Sequence, residues 1–209
     1  MVKIYAISSL RFLEETRAEI ALPRLDATRR ARVLRLQNKQ KRAQQIASGW
    51  LLYHLFGKDG QPPHLTYGSH GKPYLADDCT TFFNLSHTDS WVFCAVADSE
   101  VGLDAQIDTP YNAKIAERWF TPTENTWLSA DPDGRFASLW AQKEAYVKFT
   151  GFGLVLPMSS FTVPVAADGW DENTHCFWKK YLFRATDEDI HIAVCCGKED
   201  AFSDITVIE

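Results

Sequence analysis

Two short segments near the middle of the chain constrain its fold most, because their polar residues form a useful set only if the segments lie side by side. Residues 101–106 (VGLDAQ) predict a strand with Asp104 on one of its faces. Residues 140–148 (WAQKEAYVK) predict a helix on which Glu144 and Lys148 lie one turn apart on the same stripe. We therefore expect a fold that packs this helix on this strand.

Gln106 follows Asp104 by two residues and so shares its face of the strand. With Glu144, this face offers two carboxylates and an amide oxygen, and Lys148 adds an ammonium. Such hard oxygen ligands beside a lysine favour Mg²⁺ holding a phosphate ester. Each part also has an ordinary structural interpretation, since a Glu four residues before a Lys is usually a surface pair worth about 0.2–0.5 kcal/mol. An Asp near a strand end usually belongs to a turn. The spacing alone leaves the function open.

The complete strings resemble one enzyme family. Residues 140–148, followed by GFGL at 151–154, resemble the W-x-x-K-E-A signature of the 4′-phosphopantetheinyl transferases, specifically the larger, surfactin-type class. The VGLD of residues 101–104 is similar to the V-G-I/V-D element of that family. Three further segments resemble its blocks in the same order: residues 71–73, 83–87 and 119–124. The resemblance runs from about Thr28 to Leu154.

The resemblance implies an enzyme that moves the 4′-phosphopantetheine group of coenzyme A to a serine of an apo acyl, peptidyl or aryl carrier protein. The reaction depends on Mg²⁺ and releases adenosine 3′,5′-bisphosphate. The implied fold is α+β, with two similar halves related by pseudo-twofold symmetry and the active site between them. We expect residues 1–104 to contact the phosphates of coenzyme A and residues 105–209 to carry the metal-binding and catalytic helix. Because one chain supplies both halves, we expect a monomer.

The resemblance also assigns roles to the residues of the two central segments. Asp104 and Glu144 are the expected direct ligands of Mg²⁺, and Glu144 is also a candidate general base for the serine. Lys148 is expected to reach the pyrophosphate as a cation. Gln106 is the candidate third ligand, where the surfactin-type pattern has an acid. The protein charge at the metal would then fall from three carboxylates to two, which predicts a weaker site or one completed by water.

Further site residues follow from the other motifs. By resemblance, Lys72, Ser86 and His87 are expected to contact phosphate, although a His that follows a Ser at a strand end is often structural. Glu124 has two interpretations. It completes a Thr-x-x-Glu capping box with Thr121, and the family also places an acid there, close to the catalytic site.

Positive charge is concentrated in residues 27–58, a window that carries +8 while the rest of the chain carries −13. A basic helix on an acidic protein favours anion binding, although it can also be a solvated surface. The acidic remainder would repel a long polyanion, so a small, highly phosphorylated ligand fits better than nucleic acid. By the resemblance, basic residues near the N-terminus hold the 3′-phosphate of coenzyme A, and Arg29 and Arg32 match those positions.

Two other functions agree with parts of the pattern. A Mg²⁺-dependent phosphatase or nucleotidase could use the same oxygen cluster, but no motif of such enzymes is found and the loop G-x-x-x-x-G-K-S/T is absent. A nucleic-acid-binding protein could use the basic helix, and salt-dependent DNA binding without coenzyme A turnover would indicate it. We expect neither nucleic acid nor a membrane as a partner.

The length of 209 residues fits one large domain or two small ones. No apolar run approaches the roughly 18 residues of a membrane span, and the N-terminus lacks the apolar core of a signal peptide. The five cysteines are odd in number and contain no C-x-x-C pair, which favours reduced, buried thiols in the cytoplasm and no zinc site.

Local patterns predict that each half of the chain contains a helical segment followed by β-strands. The first helix is expected from about 28 to 56, broken or bent near 37–38 and ended by Gly57. A long second helix is expected from about 134 to 150, ended by Gly151. Shorter helices are expected at 113–119 and after Thr121. The predicted strands are 1–7, 64–67, 81–85, 90–97, 101–106, 160–165, 176–184 and 190–196.

Overall fold

The computed structural model describes residues 1–199 and 201–209 of the chain, and these contain six α-helices and ten β-strands. The helices are α1 (Glu15–Ala21), α2 (Ala27–Arg35), α3 (Lys39–Phe56), α4 (Ala113–Trp119), α5 (Pro122–Leu128) and α6 (Pro132–Thr150). The strands are β1 (Val2–Ser8), β2 (Leu65–Tyr67), β3 (Pro73–Leu75), β4 (Phe82–His87), β5 (Trp91–Ala97), β6 (Val101–Ile107), β7 (Gly169–Asp171), β8 (Cys176–Arg184), β9 (Asp189–Cys196) and β10 (Phe202–Val207).

Within these residues the strands form two four-stranded sheets and one small hairpin. The first sheet has the order β10-β1-β5-β4, in which β10 is parallel to β1 and the other neighbours are antiparallel. The second sheet has the order β6-β9-β8-β7 and is antiparallel throughout. The hairpin consists of β2 and β3. The last strand of the chain, β10, therefore pairs with the first strand, β1.

Three apolar clusters hold these layers together. One contains Ile4, Phe93, Leu103 and Val194, and it joins strands of the two sheets to each other. A second packs α3 on the other face of the first sheet, and a third packs α6 on the other face of the second. The expected mixed α+β fold is confirmed. The pseudo-twofold relation and the division at residue 104 stay predictions, and β6 runs across that division.

The predicted ends of the main helices agree with the structure. The first helix is interrupted where predicted, because α2 ends at Arg35 and the Asn38 side chain accepts the backbone N–H of Lys41 to begin α3. The long helix α6 ends at Gly151, whose φ of 71° is the left-handed conformation that favours glycine. Thr121 begins α5 with the predicted capping box.

One predicted strand is wrong. Residues 160–165 form no strand because their backbone groups bind a buried ion pair instead of a neighbouring strand. The backbone N–H of Val163 donates to Glu124 Oε1, and the carbonyl of Phe161 accepts from Lys143 Nζ. Conversely, α1 and the strands β3, β7 and β10 were not among the sequence predictions.

No disulfide joins the five cysteines, all of which lie in the described part of the chain, and four of them are buried. Cys79 is exposed, which corrects the expectation of uniformly buried thiols. Over the described residues, none of the helices has the length and apolar character needed to cross a bilayer.

Candidate active site

A glycine allows β6 to lie directly against α6. A Cβ added to Gly102 would stand 2.0 Å from the carbonyl oxygen of Ala145 and 2.6 Å from the backbone nitrogen of Phe149. Any larger residue would therefore push the helix away from the strand. Asp104 lies two residues further along β6 on this same face, so the close contact sets its distance from the side chains of α6.

Asp104 is 3% exposed, and three donors bind its carboxylate. Its Oδ1 accepts hydrogen bonds from Lys148 Nζ at 2.6 Å and from Ser86 Oγ at 2.7 Å. Its Oδ2 accepts one from Gln106 Nε2 at 2.6 Å. Ser86 in turn accepts the backbone N–H of Ala105 at 3.2 Å. The strand β4, the strand β6 and the helix α6 thus all contribute a contact to one carboxylate.

Glu144 is close enough to Asp104 and Lys148 for their charges to change its pKa. The pKa of Glu144 is raised, first by burial and second by the negative charge of Asp104, while Lys148 opposes the shift. No side chain among the described residues donates a hydrogen bond to Glu144. The cluster therefore contains two carboxylates of which only one is balanced by protein donors.

The donor set fits a divalent cation of the Mg²⁺ type. Asp104 and Glu144 supply hard carboxylate oxygens from facing elements, and a cation would relieve the repulsion between them. Within the described part of the chain, no three His, Cys, Asp or Glu side chains converge. Protein carboxylates would thus supply two ligands, and substrate oxygens and water would complete the shell. The Gln106 amide turns its nitrogen towards Asp104.

Two clefts border the cluster. The first, which we call the α3 cleft, has a volume of about 400 Å³ and is lined by Lys41, Gln44, His87, Gln106 and Ile107 among others. The second, the α6 cleft, has a volume of about 270 Å³ and is lined by Lys72, Leu85, Glu144, Val147, Lys148 and Gly151 among others. A larger cavity of about 470 Å³ lies at the C-terminal end of α3, but none of the predicted site residues lines it.

His87 lies in the α3 cleft, next to the Ser86 that binds Asp104. Its pKa is lowered, first by the loss of water around the ring and second by the positive charge of Lys148. The side chain nevertheless remains partly open to solvent. A neutral imidazole at this place can donate one hydrogen bond and accept another.

Lys72 is 8% exposed, and its ammonium is fully used within the protein. Nζ donates to Glu100 Oε2 at 2.7 Å and to the carbonyls of Val101 and Phe149, each at 3.1 Å. These bonds join the start of β6 to the end of α6. The phosphate contact that the sequence predicted for Lys72 stays a prediction.

Glu124 is fully buried, and the structure gives it the helix-capping role. Both of its oxygens accept from Lys143 Nζ at 2.9 Å, and the backbone N–H groups of Thr121 and Val163 donate to it at 2.7 and 2.8 Å. No hydrogen bond or ion pair among the described residues connects it to Asp104. Its catalytic role stays a prediction.

The two arginines expected to read the 3′-phosphate have different environments. Arg29 lies 3.4 Å from Asp26 in an ion pair and donates to Gln45 at 3.3 Å, and burial lowers its pKa. Arg32 is exposed on α2. The basic window therefore presents Arg32 to solvent, whereas Arg29 is held inside.

Three contributions to the site were missed by sequence reasoning. The Asn84 side-chain oxygen accepts the backbone N–H of Leu103 at 2.9 Å and so fixes β6 beside β4. Lys143 is the buried partner of Glu124, which could have been suspected because it lies in a helix between the apolar residues Ala141 and Ala145. The donor role of Gln106 had no sequence signal, because an amide offers both a donor and an acceptor.

Fold and site together define a mixed α+β protein with an acid–lysine cluster at the contact of a strand and a helix. Comparison with known proteins then assigns the family. A family model described as the 4′-phosphopantetheinyl transferase superfamily matches residues 100–195, which contain Asp104, Glu144 and Lys148.

Relatives extend the match over nearly the whole chain. A 4′-phosphopantetheinyl transferase of Bacillus subtilis is 31% identical, covering 95% of this chain and 94% of the relative. The 4′-phosphopantetheinyl transferase Sfp of Bacillus subtilis strain 168 is 29% identical, covering 99% and 97%. The transferase gsp of Aneurinibacillus migulanus is 37% identical over a shorter stretch, covering 45% and 40%. The chain belongs to the 4′-phosphopantetheinyl transferase superfamily and is of the Sfp type, which confirms the resemblance seen in its motifs.

Proposed function

We propose that this enzyme transfers the 4′-phosphopantetheine group of coenzyme A to a serine of an apo acyl, peptidyl or aryl carrier protein. The second product is adenosine 3′,5′-bisphosphate, and the reaction requires Mg²⁺. The observation that carries the proposal is the Asp104–Glu144 pair beside Lys148, because phosphoryl transfer needs charge stabilisation and positioning more than covalent chemistry.

Asp104 and Glu144 would hold Mg²⁺, which when bound supplies neutralisation and polarisation of the pyrophosphate oxygens. Lys148 is the adjacent cation, 28% exposed, and it pairs with a pyrophosphate oxygen when substrate is present. Glu144 takes the proton of the attacking serine, directly or through one water. Glu144 and Lys148 both line the α6 cleft, and this shared position supports the role.

The two clefts suggest where the substrates lie. The α3 cleft is the proposed place for the phosphate-rich part of coenzyme A, because Lys41 lines it and exposed basic residues of α2 lie nearby in the chain. Arg32 and His87 are the proposed contacts for the 3′-phosphate, and Arg29 supports them from inside. Ser86 and Lys72 are proposed to contact phosphate, each by exchanging one acceptor within the protein for a phosphate oxygen.

Other predicted properties belong to the same proposal. The enzyme acts as a monomer in the cytoplasm, without nucleic-acid or membrane partners. Residues 1–104 and 105–209 form two similar α+β halves related by pseudo-twofold symmetry, with the site between them. Two large sheets, each covered by a long helix, support a two-part arrangement, although β10 completes the first sheet and residues 101–104 of β6 belong to the second.

Intact-mass spectrometry of the carrier tests the activity. The protein is incubated with Mg²⁺, coenzyme A and an apo carrier protein, and a parallel reaction contains excess EDTA. We expect the carrier to gain one phosphopantetheine group, only when Mg²⁺ is present and only on its acceptor serine. Release of inorganic phosphate from coenzyme A with an unmodified carrier would instead indicate a phosphatase. Salt-sensitive DNA binding without turnover would indicate the nucleic-acid alternative.

A further inference from the structure

We propose that Gln106 is a positioning residue, which holds the Asp104 carboxylate through its amide N–H and does not itself bind the metal. This inference rests on the proposed function, because it concerns the same site. It replaces the sequence expectation that Gln106 supplies a third oxygen ligand.

The geometry of the contact carries the inference. Gln106 Nε2 lies 2.6 Å from Asp104 Oδ2, a short distance for a hydrogen bond to a charged acceptor. Both residues project from the same face of β6, so the contact needs no movement of the backbone. The opposite orientation of the amide would point its oxygen at a carboxylate oxygen, and two acceptors repel each other.

The other partners of Asp104 explain what the amide adds. Ser86 and Lys148 both donate to Oδ1, so without Gln106 the second oxygen would have no donor among the described residues. Gln106 therefore fixes the rotation of the Asp104 carboxylate about its Cβ–Cγ bond. A carboxylate has about four lone-pair sites, of which three are now occupied, and the free site on Oδ2 remains for a cation.

A glutamate at position 106 could not play this role. It has no N–H to donate when ionised, and it would add a third negative charge beside Asp104 and Glu144. The glutamine keeps Asp104 oriented in the metal-free protein, with Lys148 as the counter-ion. The expected consequence is a site that is formed before the metal arrives but that binds the metal less strongly than a three-carboxylate site.

The side-chain amide of Gln106 can be observed directly by ¹H–¹⁵N NMR in uniformly ¹⁵N-labelled protein. Its signals are assigned by their absence from Gln106→Leu, with Gln106→Met as a second variant if Leu folds poorly. In the metal-free protein we expect one amide proton to be shifted downfield and to exchange slowly with solvent. That proton should return to an ordinary position in Asp104→Ala and should stay shifted when Mg²⁺ saturates the wild-type protein.

Calorimetric titration with Mg²⁺, without coenzyme A or carrier, provides the second readout. We expect Gln106→Leu to change the dissociation constant by less than about threefold, whereas Glu144→Gln should weaken binding by about tenfold or more. An ordinary amide proton in the metal-free protein would overturn the inference. So would equal losses of affinity in Gln106→Leu and Glu144→Gln. Neither readout depends on turnover, so a failed transferase assay with the expected NMR result would refute the proposed function alone.

Discussion

Lys148 Nζ lies 2.6 Å from Asp104 Oδ1, and this ion pair joins the end of α6 to the middle of β6 across 44 residues of sequence. Asp104 is nearly buried, whereas Lys148 remains partly exposed to the α6 cleft. The lysine therefore balances the carboxylate from the solvent side. In the proposed function, a phosphate that enters the cleft would attract the same ammonium.

The close contact between Gly102 of β6 and the backbone of α6 predicts that Gly102→Ala is strongly destabilising. Its new Cβ would meet backbone atoms of α6, which cannot move as a flexible side chain can. We expect the free energy of unfolding in urea to fall by about 2 kcal/mol or more. Gly68→Ala is the matched control, because its Cβ would meet its nearest neighbour at an ordinary 3.4 Å. Equal, small changes in the two variants would contradict the proposed packing of β6 on α6.

The buried Glu124–Lys143 pair predicts a large effect on stability. Glu124→Gln leaves the ammonium of Lys143 buried without its counter-ion, at a cost of about 3–5 kcal/mol. The double variant with Lys143→Met should lose less than the sum of the single losses, since it removes both charges. Glu14→Gln, which breaks an exposed pair with Arg17, serves as the control and should change stability by about 0.5 kcal/mol at most. Additive losses in the double variant would argue against direct coupling.

The different environments of Arg29 and Arg32 predict that the two variants separate stability from binding. Arg32→Ala should raise the KM for coenzyme A several-fold, with kcat nearly unchanged, and should affect dephospho-coenzyme A less. Arg29→Ala should also lower the melting temperature, because it removes a partly buried side chain that pairs with Asp26. Equal changes in KM for the two ligands in Arg32→Ala would show that Arg32 does not read the 3′-phosphate.

The pKa of Glu144 provides a pH test on the metal-free protein. Because burial and Asp104 raise it above 4.5, the folded protein binds this proton more tightly than the unfolded chain. The contribution of Glu144 to stability therefore falls as the pH rises from about 4.5 through the raised folded pKa. Asp104→Asn should lower the pKa, measured by carboxyl ¹³C NMR, because it removes the neighbouring negative charge. An unchanged pKa in this variant would place the two groups too far apart to interact.

Local signals in the sequence predicted much of this architecture. The break near Asn38, the capping box at Thr121 and the helix end at Gly151 each depend on residues within one turn, so they could be predicted from the local sequence. The strand expected at 160–165 failed because its backbone binds Lys143 and Glu124, which are distant in sequence. The pairing of β10 with β1 also depends on contacts across the whole chain.

In the candidate site, too, the sequence predicted which residues come together and not how every side chain pairs. The motifs predicted which residues would approach one another, because a strand face and a helix stripe fix the directions of Asp104 and Lys148. They did not predict that Gln106 donates to Asp104 or that Arg29 pairs with Asp26. Both results depend on which neighbouring group competes for a side chain, and single-sequence spacing carries no information on that competition.

The most direct test of the account is the initial rate of phosphopantetheine transfer in Asp104→Ala and Glu144→Gln. We expect each rate to fall by at least about 10²-fold at saturating coenzyme A and Mg²⁺, because each variant removes a preorganised charge from the site. Glu117→Gln, an exposed acid on α4, is the control and should retain the wild-type rate. Circular dichroism should show that all three variants are folded. A near-normal rate in folded Asp104→Ala or Glu144→Gln would contradict the assignment of this cluster as the active site.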